Sequence, residues 1–365
     1  MADSIILTSL LSHTPLLGWY RYSDLFQLSP APPEAPRPPY AMGDHPLILE
    51  VRADLRIPPD RSTDIWHRDQ WERDRDEELS PGATDEWLAA YRQSTQMSRR
   101  QALVKELTVL LTTLAGYTFF TYDGDQSWFV PLDPSHAGAA SVWGQNSYSA
   151  PGAVAAGERF AEAVGEPAPL VPRTKRGQLG QDAWVISEPH RMELPDDLSI
   201  LLDLYFALEP GRKEAFYAAS HLWVQCHSLT SKAPSLSLVA AASAVETLVR
   251  CDEPGGAPSC PWCQTPESFE YCVKCHAPRY RLTSAFRNFF VTYGGPSLGN
   301  FANRLYAFRS RISHAGSLLR KEFFDSGFNK GGEDEQMLFG IDVPRLARAA
   351  IVNWLRTQAS KPESE

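Results

Sequence analysis

The sequence predicts an α+β protein: a mixed N-terminal half, then an all-α helical bundle that carries a small metal-binding insert. Alternating apolar residues and aromatic runs, typical of strands, lie within residues 1–190. Helical periodicity dominates residues 191–365. A cluster of cysteines within 251–278 interrupts those helices. We therefore predict two domains, 1–190 and 191–365, with the insert inside the second.

The composition limits the class of protein. With 365 residues, 43% hydrophobic and 22% charged, the chain can bury a core and differs from disordered sequences. Its net charge of -9 argues against a surface that binds nucleic acid everywhere, so any basic site must be local. No apolar run approaches the length of about 18 residues that a membrane span needs. The N-terminal apolar run follows Asp3 and no basic residue, unlike a secretory signal, so we expect a cytoplasmic protein without a membrane partner.

The segment PLILEVRADL alternates apolar and polar residues and predicts a half-buried strand. Its apolar side holds Leu47, Leu49 and Val51, and its polar side holds Glu50 and Arg52. A period of two is the pattern of a strand with one face on the core. We expect this strand in the N-terminal domain.

A helix and a hairpin are predicted next. Leucines at helical spacing, the last of them Leu114, predict a core helix that stops at Gly116. In YTFFTYDGDQSWFVP, two aromatic-rich runs flank Asp123 and Gly124, which predicts a hairpin turn at that pair. Residues 131–176 are rich in glycine, proline, alanine and serine and predict loops.

The second half predicts a bundle of helices. They begin after Pro210, at SLSLVAAASAVETLV, at LTSAFRNFFVTY, at GNFANRLYAFRSRISHAG and near Pro344, the last running through Trp354. The predicted buried stripe of the second of these helices is Leu236, Val239, Ala242 and Val245. That of the fourth is Phe301, Leu305, Phe308 and Ile312.

The insert carries the pattern C-x2-C-x8-C-x2-C. Its four thiolates are Cys260, Cys263, Cys272 and Cys275. Two close pairs of cysteines can surround one tetrahedral zinc ion, and four protein ligands leave no open position for water. We therefore expect a structural Zn²⁺. Iron in the same thiolates, a redox role for CPWC and replacement of one ligand by His276 are the alternatives.

Nine basic residues and no acidic residue lie between Val273 and Lys321. They are Lys274, Arg279, Arg281, Arg287, Arg304, Arg309, Arg311, Arg320 and Lys321. A solvated helix face is the simpler interpretation. An uninterrupted basic field is also what a phosphate-binding surface needs.

At the centre of this run, YAFRSRISHAG places Arg309 five residues before His314. On an ideal helix the two lie about 140° apart and do not converge. They meet only if the helix unwinds near Gly316, if the arginine wraps round, or if a second protomer completes the site. RNA cleavage needs a group of near-neutral pKa and a cation for the phosphate, which His314 and Arg309 would supply. A histidine at a helix end is also simply favourable for the helix dipole.

The R-x4-H motif in YAFRSRISHAG, preceded by a helix containing AVETL, resembles the HEPN superfamily, and most closely its Apea-like branch. The resemblance covers about residues 196–358. It implies a metal-independent endoribonuclease, often a toxin or antiviral defence effector, that works as a dimer with facing motifs. Arg309 and His314 match the motif, and Glu246 matches the acidic position of the earlier helix. Ser310 occupies the position where the family often has Asn, Asp or His.

Two hypotheses about function follow. The first is an RNA-cleaving homodimer whose N-terminal half is a sensor or regulator. The second is a non-catalytic HEPN-like module that binds RNA or a protein and carries a structural zinc site, since some members of the superfamily are inactive. In either case the basic residues expected to contact RNA are Arg304, Arg311, Arg320 and Lys321.

Overall fold

The structure is a computed structural model in which the chain separates into two compact units, Met1–Leu202 and Asp203–Glu365. Each unit is described by itself. The residues described are 4–32, 44–53, 101–121, 123–131, 142–147, 160, 162–163, 165–173, 191–230, 232–251, 274, 282–319 and 342–358.

An antiparallel sheet of five strands forms the centre of the first unit. The strands are β1 (Ser4–Ser12), β2 (Tyr20–Tyr22), β3 (Phe26–Pro30), β4 (His45–Ala53) and β5 (Phe119–Phe120), in the order β2-β3-β4-β1-β5. Two smaller pairs are β6 (Asp123–Pro131) with β7 (Val142–Ser147), antiparallel, and β8 (Leu170–Val171) with β9 (Leu194–Pro195), parallel. The described N-terminal strands therefore make a mainly antiparallel architecture.

The strand predicted in PLILEVRADL is confirmed as β4, but its polar side differs from the prediction. Leu47, Leu49 and Val51 are buried as expected. Glu50 is also buried, with only 3% of its surface exposed. The neighbouring strand β3 places Gln27 opposite Glu50, and the amide Nε2 of Gln27 donates a hydrogen bond of 3.0 Å to the carboxylate. A cross-strand polar partner thus replaces water on this side of the sheet.

The predicted leucine helix is confirmed and forms α1 (101–115). Its leucines from Leu107 to Leu114 are fully buried. The helix stops at Gly116, whose φ of 87° lies in the left-handed region that glycine adopts without strain. The N–H of Gly116 donates to the carbonyl of Thr112 at 3.1 Å.

The hairpin predicted at Asp123 and Gly124 is wrong, because those two residues begin strand β6. The preceding aromatic run, β5, pairs instead with β1. The hydroxyl of Thr112 on α1 also bonds both the N–H and the carbonyl of Phe119. The partner of β6 is β7, in the segment that was predicted to be rich in loops and for which no strand was predicted. Pairing with distant strands overrides the local turn preference here.

The second half is mostly helical, as predicted. The α-helices are α2 (Leu198–Phe206), α3 (Pro210–Leu229), α4 (Pro234–Cys251), α5 (Leu282–Phe289), α6 (Gly299–Ala315) and α7 (Asp342–Gln358). A π-helical turn at Phe290–Gly294 and a 3-10 turn at Pro296–Leu298 connect α5 to α6. None of the described helices combines the length and apolar character needed to cross a membrane.

Helix α4 is central to the second unit, since it packs against α3, α5, α6 and α7. Its buried face is broader than the predicted stripe. Ala242 and Val245 are buried as predicted, but Leu236 is 54% exposed and Leu238 is buried in its place. A helix with four neighbours needs a wide apolar face, and Leu236 in its first turn lies outside that face. On α6 the predicted stripe is largely confirmed: Leu305, Phe308 and Ile312 are buried and Phe301 is half-buried.

Candidate functional site

Helix α6 carries the predicted motif and ends at Ala315, one residue after His314. The cap residue Gly316 adopts the left-handed conformation with φ 61°. Its N–H donates to the carbonyl of Ile312 at 3.1 Å, and the N–H of Ser317 reaches the carbonyl of Arg311 at 3.4 Å. This paired arrangement closes a helix in a defined way. The helix therefore stays regular through His314, and unwinding does not bring Arg309 and His314 together.

Arg309 turns towards α4 and pairs with Glu246. Its Nη2 donates to Oε2 of Glu246 at 3.0 Å. The arginine side chain is 20% exposed and the glutamate side chain 7% exposed, so the pair is largely shielded from water. A charge-assisted hydrogen bond in such a place is much stronger than one at the surface. The guanidinium thus points to the helix that the resemblance associated with the site and does not wrap round to His314.

His314 lies in the last turn of α6 and is exposed. Its neighbour Arg311 is exposed as well and stacks its guanidinium over the ring of Phe308, 4.2 Å from the ring centre. Among the described residues the structure therefore joins Arg309 to Glu246 but leaves His314 apart from both. Neither unwinding of the helix nor wrapping of the arginine therefore joins Arg309 to His314 within the described residues of one chain.

The other predicted site residues divide into described and undescribed ones. Ser310 is half-buried and its hydroxyl makes no hydrogen bond in the part of the chain that the structure describes, and Arg304 is half-buried. Arg320 and Lys321 lie outside the described residues. So do the four cysteines of the insert, Cys260, Cys263, Cys272 and Cys275.

The basic run of the sequence has an acidic partner in three dimensions. Glu246 precedes the run by more than twenty residues, yet its carboxylate neutralises Arg309 at the centre of it. The run is therefore not a continuous free basic field at Arg309. Arg311, two residues further along the same helix, is exposed.

Ser235 stabilises the segment just after helix α6, a role that the sequence did not predict. The Oγ of Ser235, at the start of α4, accepts a hydrogen bond from the backbone N–H of Leu319, just beyond the α6 cap. Both residues are buried. Nothing in the local pattern marks Ser235, because its partner is 84 residues away in the chain.

Comparison with protein-family models, with curated proteins and with solved structures gives no match for this chain. Within the described ranges, no group of three or more His, Cys, Asp or Glu side chains is arranged to hold a metal ion. The site is therefore defined by its own residues: the Arg309–Glu246 pair, the exposed His314 and the exposed Arg311.

Proposed function

We propose that the chain is an endoribonuclease of the HEPN type, whose helical domain cleaves RNA as a homodimer and whose N-terminal half regulates it. The observation that carries the proposal is the pairing of Arg309 with Glu246, together with an exposed His314 on the same helix. These are the residues of the R-x4-H motif and of the earlier acidic position. A toxin or defence role follows only from the resemblance.

In the proposed reaction the 2′-hydroxyl of RNA attacks its own phosphate. The 2′-oxygen forms a bond to phosphorus, the bond from phosphorus to the 5′-oxygen breaks, and a cyclic phosphate and a 5′-hydroxyl result. His314 takes part in moving the proton of the 2′-hydroxyl to the leaving 5′-oxygen, since an imidazole has one nitrogen that accepts a proton and one that donates it. Arg309 holds the charge that develops on the phosphate, because a guanidinium does not lose its proton.

A twofold dimer is part of the proposal. Arg309 faces α4 within its own protomer, whereas His314 is exposed about 140° further round the helix. A second copy related by a twofold axis brings an exposed histidine to each arginine with no change in the helix. Four thiolates of the insert, Cys260, Cys263, Cys272 and Cys275, would hold a structural zinc ion.

A specific substrate tests the chemistry. A DNA oligonucleotide that contains one ribonucleotide should be cut only after that nucleotide, to give a cyclic phosphate, and the all-DNA control should survive. Because the resemblance implies metal-independent cleavage, EDTA should leave the rate unchanged over minutes. Cutting of the all-DNA control at a similar rate would contradict the proposed reaction.

The second candidate is a non-catalytic module that binds RNA or a protein. The observation in its favour is the same ion pair, since a largely buried arginine bonded to a buried carboxylate is often a structural contact. This alternative expects RNA binding without any cleavage of the single-ribonucleotide substrate.

A further inference from the structure

The contact between Arg309 and Glu246 is one hydrogen bond where two are chemically available. The Nη2 of Arg309 donates to Oε2 of Glu246 at 3.0 Å. The neighbouring Nε of the arginine and Oε1 of the glutamate are both buried, and neither has a hydrogen-bond partner within the described residues. A guanidinium and a carboxylate readily form two parallel bonds. The pair is therefore held through Nη2 alone, and the buried Nε and Oε1 stay unpaired in the described part of the chain.

This geometry leaves one nitrogen for a ligand. Nε is buried and Nη2 is engaged by Glu246, whereas Nη1 lies on the other edge of the planar group and makes no bond in the described part of the chain. The carboxylate repels a phosphate, and its shielding, with the side chain 7% exposed, keeps it from pairing with other cations in solution. Glu246 can therefore act on a ligand only through Arg309.

We propose that Glu246 is a positioning residue, which anchors Arg309 by one edge so that Nη1 alone contacts a phosphate of RNA. This inference rests on the proposed function and adds the role of Glu246 to it. Arginine suits the task because its planar group meets an acid and a phosphate on different edges. Lysine has a single nitrogen, which the buried carboxylate draws towards itself and away from the phosphate.

The test is the effect of Glu246→Gln in two backgrounds. With arginine at position 309, the substitution weakens the anchor by removing its charge and should lower kcat by on the order of 10-fold to 10²-fold, with a weaker affinity for the substrate. In the Arg309→Lys background, the same substitution frees the lysine and should raise kcat severalfold. The matched control is Glu214→Gln on α3, a half-buried carboxylate on a different helix, which should leave both backgrounds unchanged.

The opposite effects of Glu246→Gln on kcat in the two backgrounds distinguish a positioning role from a purely structural one. A purely structural Glu246 lowers activity in both backgrounds, and that result would overturn the inference. Melting temperatures identify variants that fail to fold. If Glu246→Gln is one of them, Glu246→Asp replaces it, because a carboxylate shorter by one methylene should keep the fold but withdraw Nη1, and an unchanged kcat would then refute positioning.

Measurements of nucleic-acid binding test the positioning role of Glu246 separately from the proposed RNA cleavage. The affinity for a non-cleavable single-stranded DNA of the same sequence should show the same reversal between the two backgrounds. If no variant cleaves RNA and the reversal persists in binding, the proposed catalysis fails and the positioning role stands. If RNA is cleaved but neither kcat nor affinity reverses, the catalysis stands and the positioning role fails.

Discussion

The backbone N–H of Leu319 donates a hydrogen bond of 2.9 Å to the hydroxyl oxygen of Ser235, and so ties the chain beyond α6 to the first turn of α4. Both residues are buried, Ser235 completely. This bond fixes the segment that follows His314 and leads towards Arg320 and Lys321. It is a structural link between the motif and the helix that carries Glu246.

Loss of this hydroxyl should destabilise the protein. Ser235→Ala leaves the buried N–H of Leu319 without its partner and should lower the free energy of unfolding by about 1–3 kcal/mol. Urea denaturation measures the change. Ser313→Ala, an exposed position on α6, is the control and should change stability by less than about 0.5 kcal/mol. Equal stabilities for the two variants would show that the bond contributes nothing.

Truncation of two leucines of α4 should lower stability by very different amounts. Leu238 is 3% exposed, so Leu238→Ala should cost about 2–5 kcal/mol through lost burial and a cavity. Leu236 is 54% exposed, and Leu236→Ala should cost less than about 1 kcal/mol. The same denaturation experiment compares them. A larger loss of stability for Leu236→Ala than for Leu238→Ala would contradict the observed burial and favour the buried stripe that the sequence predicted.

The sequence predicted features that depend on neighbours in the chain. Helix α6 and its stop at Gly316 follow from helical spacing and a left-handed glycine, both of which are local signals. The turn at Asp123 and Gly124 failed because its strands pair with β1 and β7 and not with each other. The partner of β5 is distant in the chain, and the partner of β6 lies in a segment whose sequence has no strand pattern.

In the site, too, the sequence predicted what depends on nearby residues and not what depends on residues distant in the chain. The spacing of Arg309 and His314 correctly indicated that they diverge on one helix. The bond from Arg309 to Glu246 spans 63 residues, and only the resemblance brought the two together in the sequence analysis. The burial of the pair and its two unpaired atoms, Nε of Arg309 and Oε1 of Glu246, depend on how α4 and α6 pack. Composition and spacing do not contain that information.

The buried thiol of Cys226 should make stability depend on alkaline pH. Burial raises the pKa of Cys226 from 9.0 to about 12, and the hydrogen bond with Ser237 opposes this only in part. Above pH 9.0 the unfolded chain loses the proton while the folded chain keeps it, so stability falls as the pH rises. Relative to Cys226→Ala, the wild type should lose up to about 1.4 kcal/mol per pH unit there.

Unfolding measurements of both proteins at pH 8 and at about pH 10 check this difference. Alkylation mapped by mass spectrometry gives a second readout, since Cys226 should be labelled in urea but not in the folded protein. Parallel stability curves for wild type and Cys226→Ala would contradict the raised pKa.

The four-cysteine insert should bind one zinc ion per chain. Metal analysis of the purified protein should find about one equivalent, and Cys263→Ser should fall below half, because it removes one of four thiolates. Cys226→Ala, a cysteine outside the pattern, should keep its zinc. Chelation should expose the insert to protease. Less than half an equivalent in the wild type, with no change on chelation, would refute the zinc site.

The dimer should be visible in solution. Light scattering at increasing concentration should approach the mass of two chains, since each site needs an Arg309 and the His314 of a second copy. RNA cleavage should lose rate as the protein is diluted below its dissociation constant. A monomer at high concentration with full cleavage activity would contradict the composite site.

The most direct test compares RNA cleavage by the wild type, His314→Ala and Ser313→Ala at equal concentration and equal melting temperature. Both substituted side chains are exposed on the last turns of α6, so neither change removes core packing. If His314 moves the proton, the His314→Ala variant should lose at least about 10²-fold in rate while Ser313→Ala keeps the wild-type rate. Wild-type cleavage by His314→Ala would contradict the proposed mechanism.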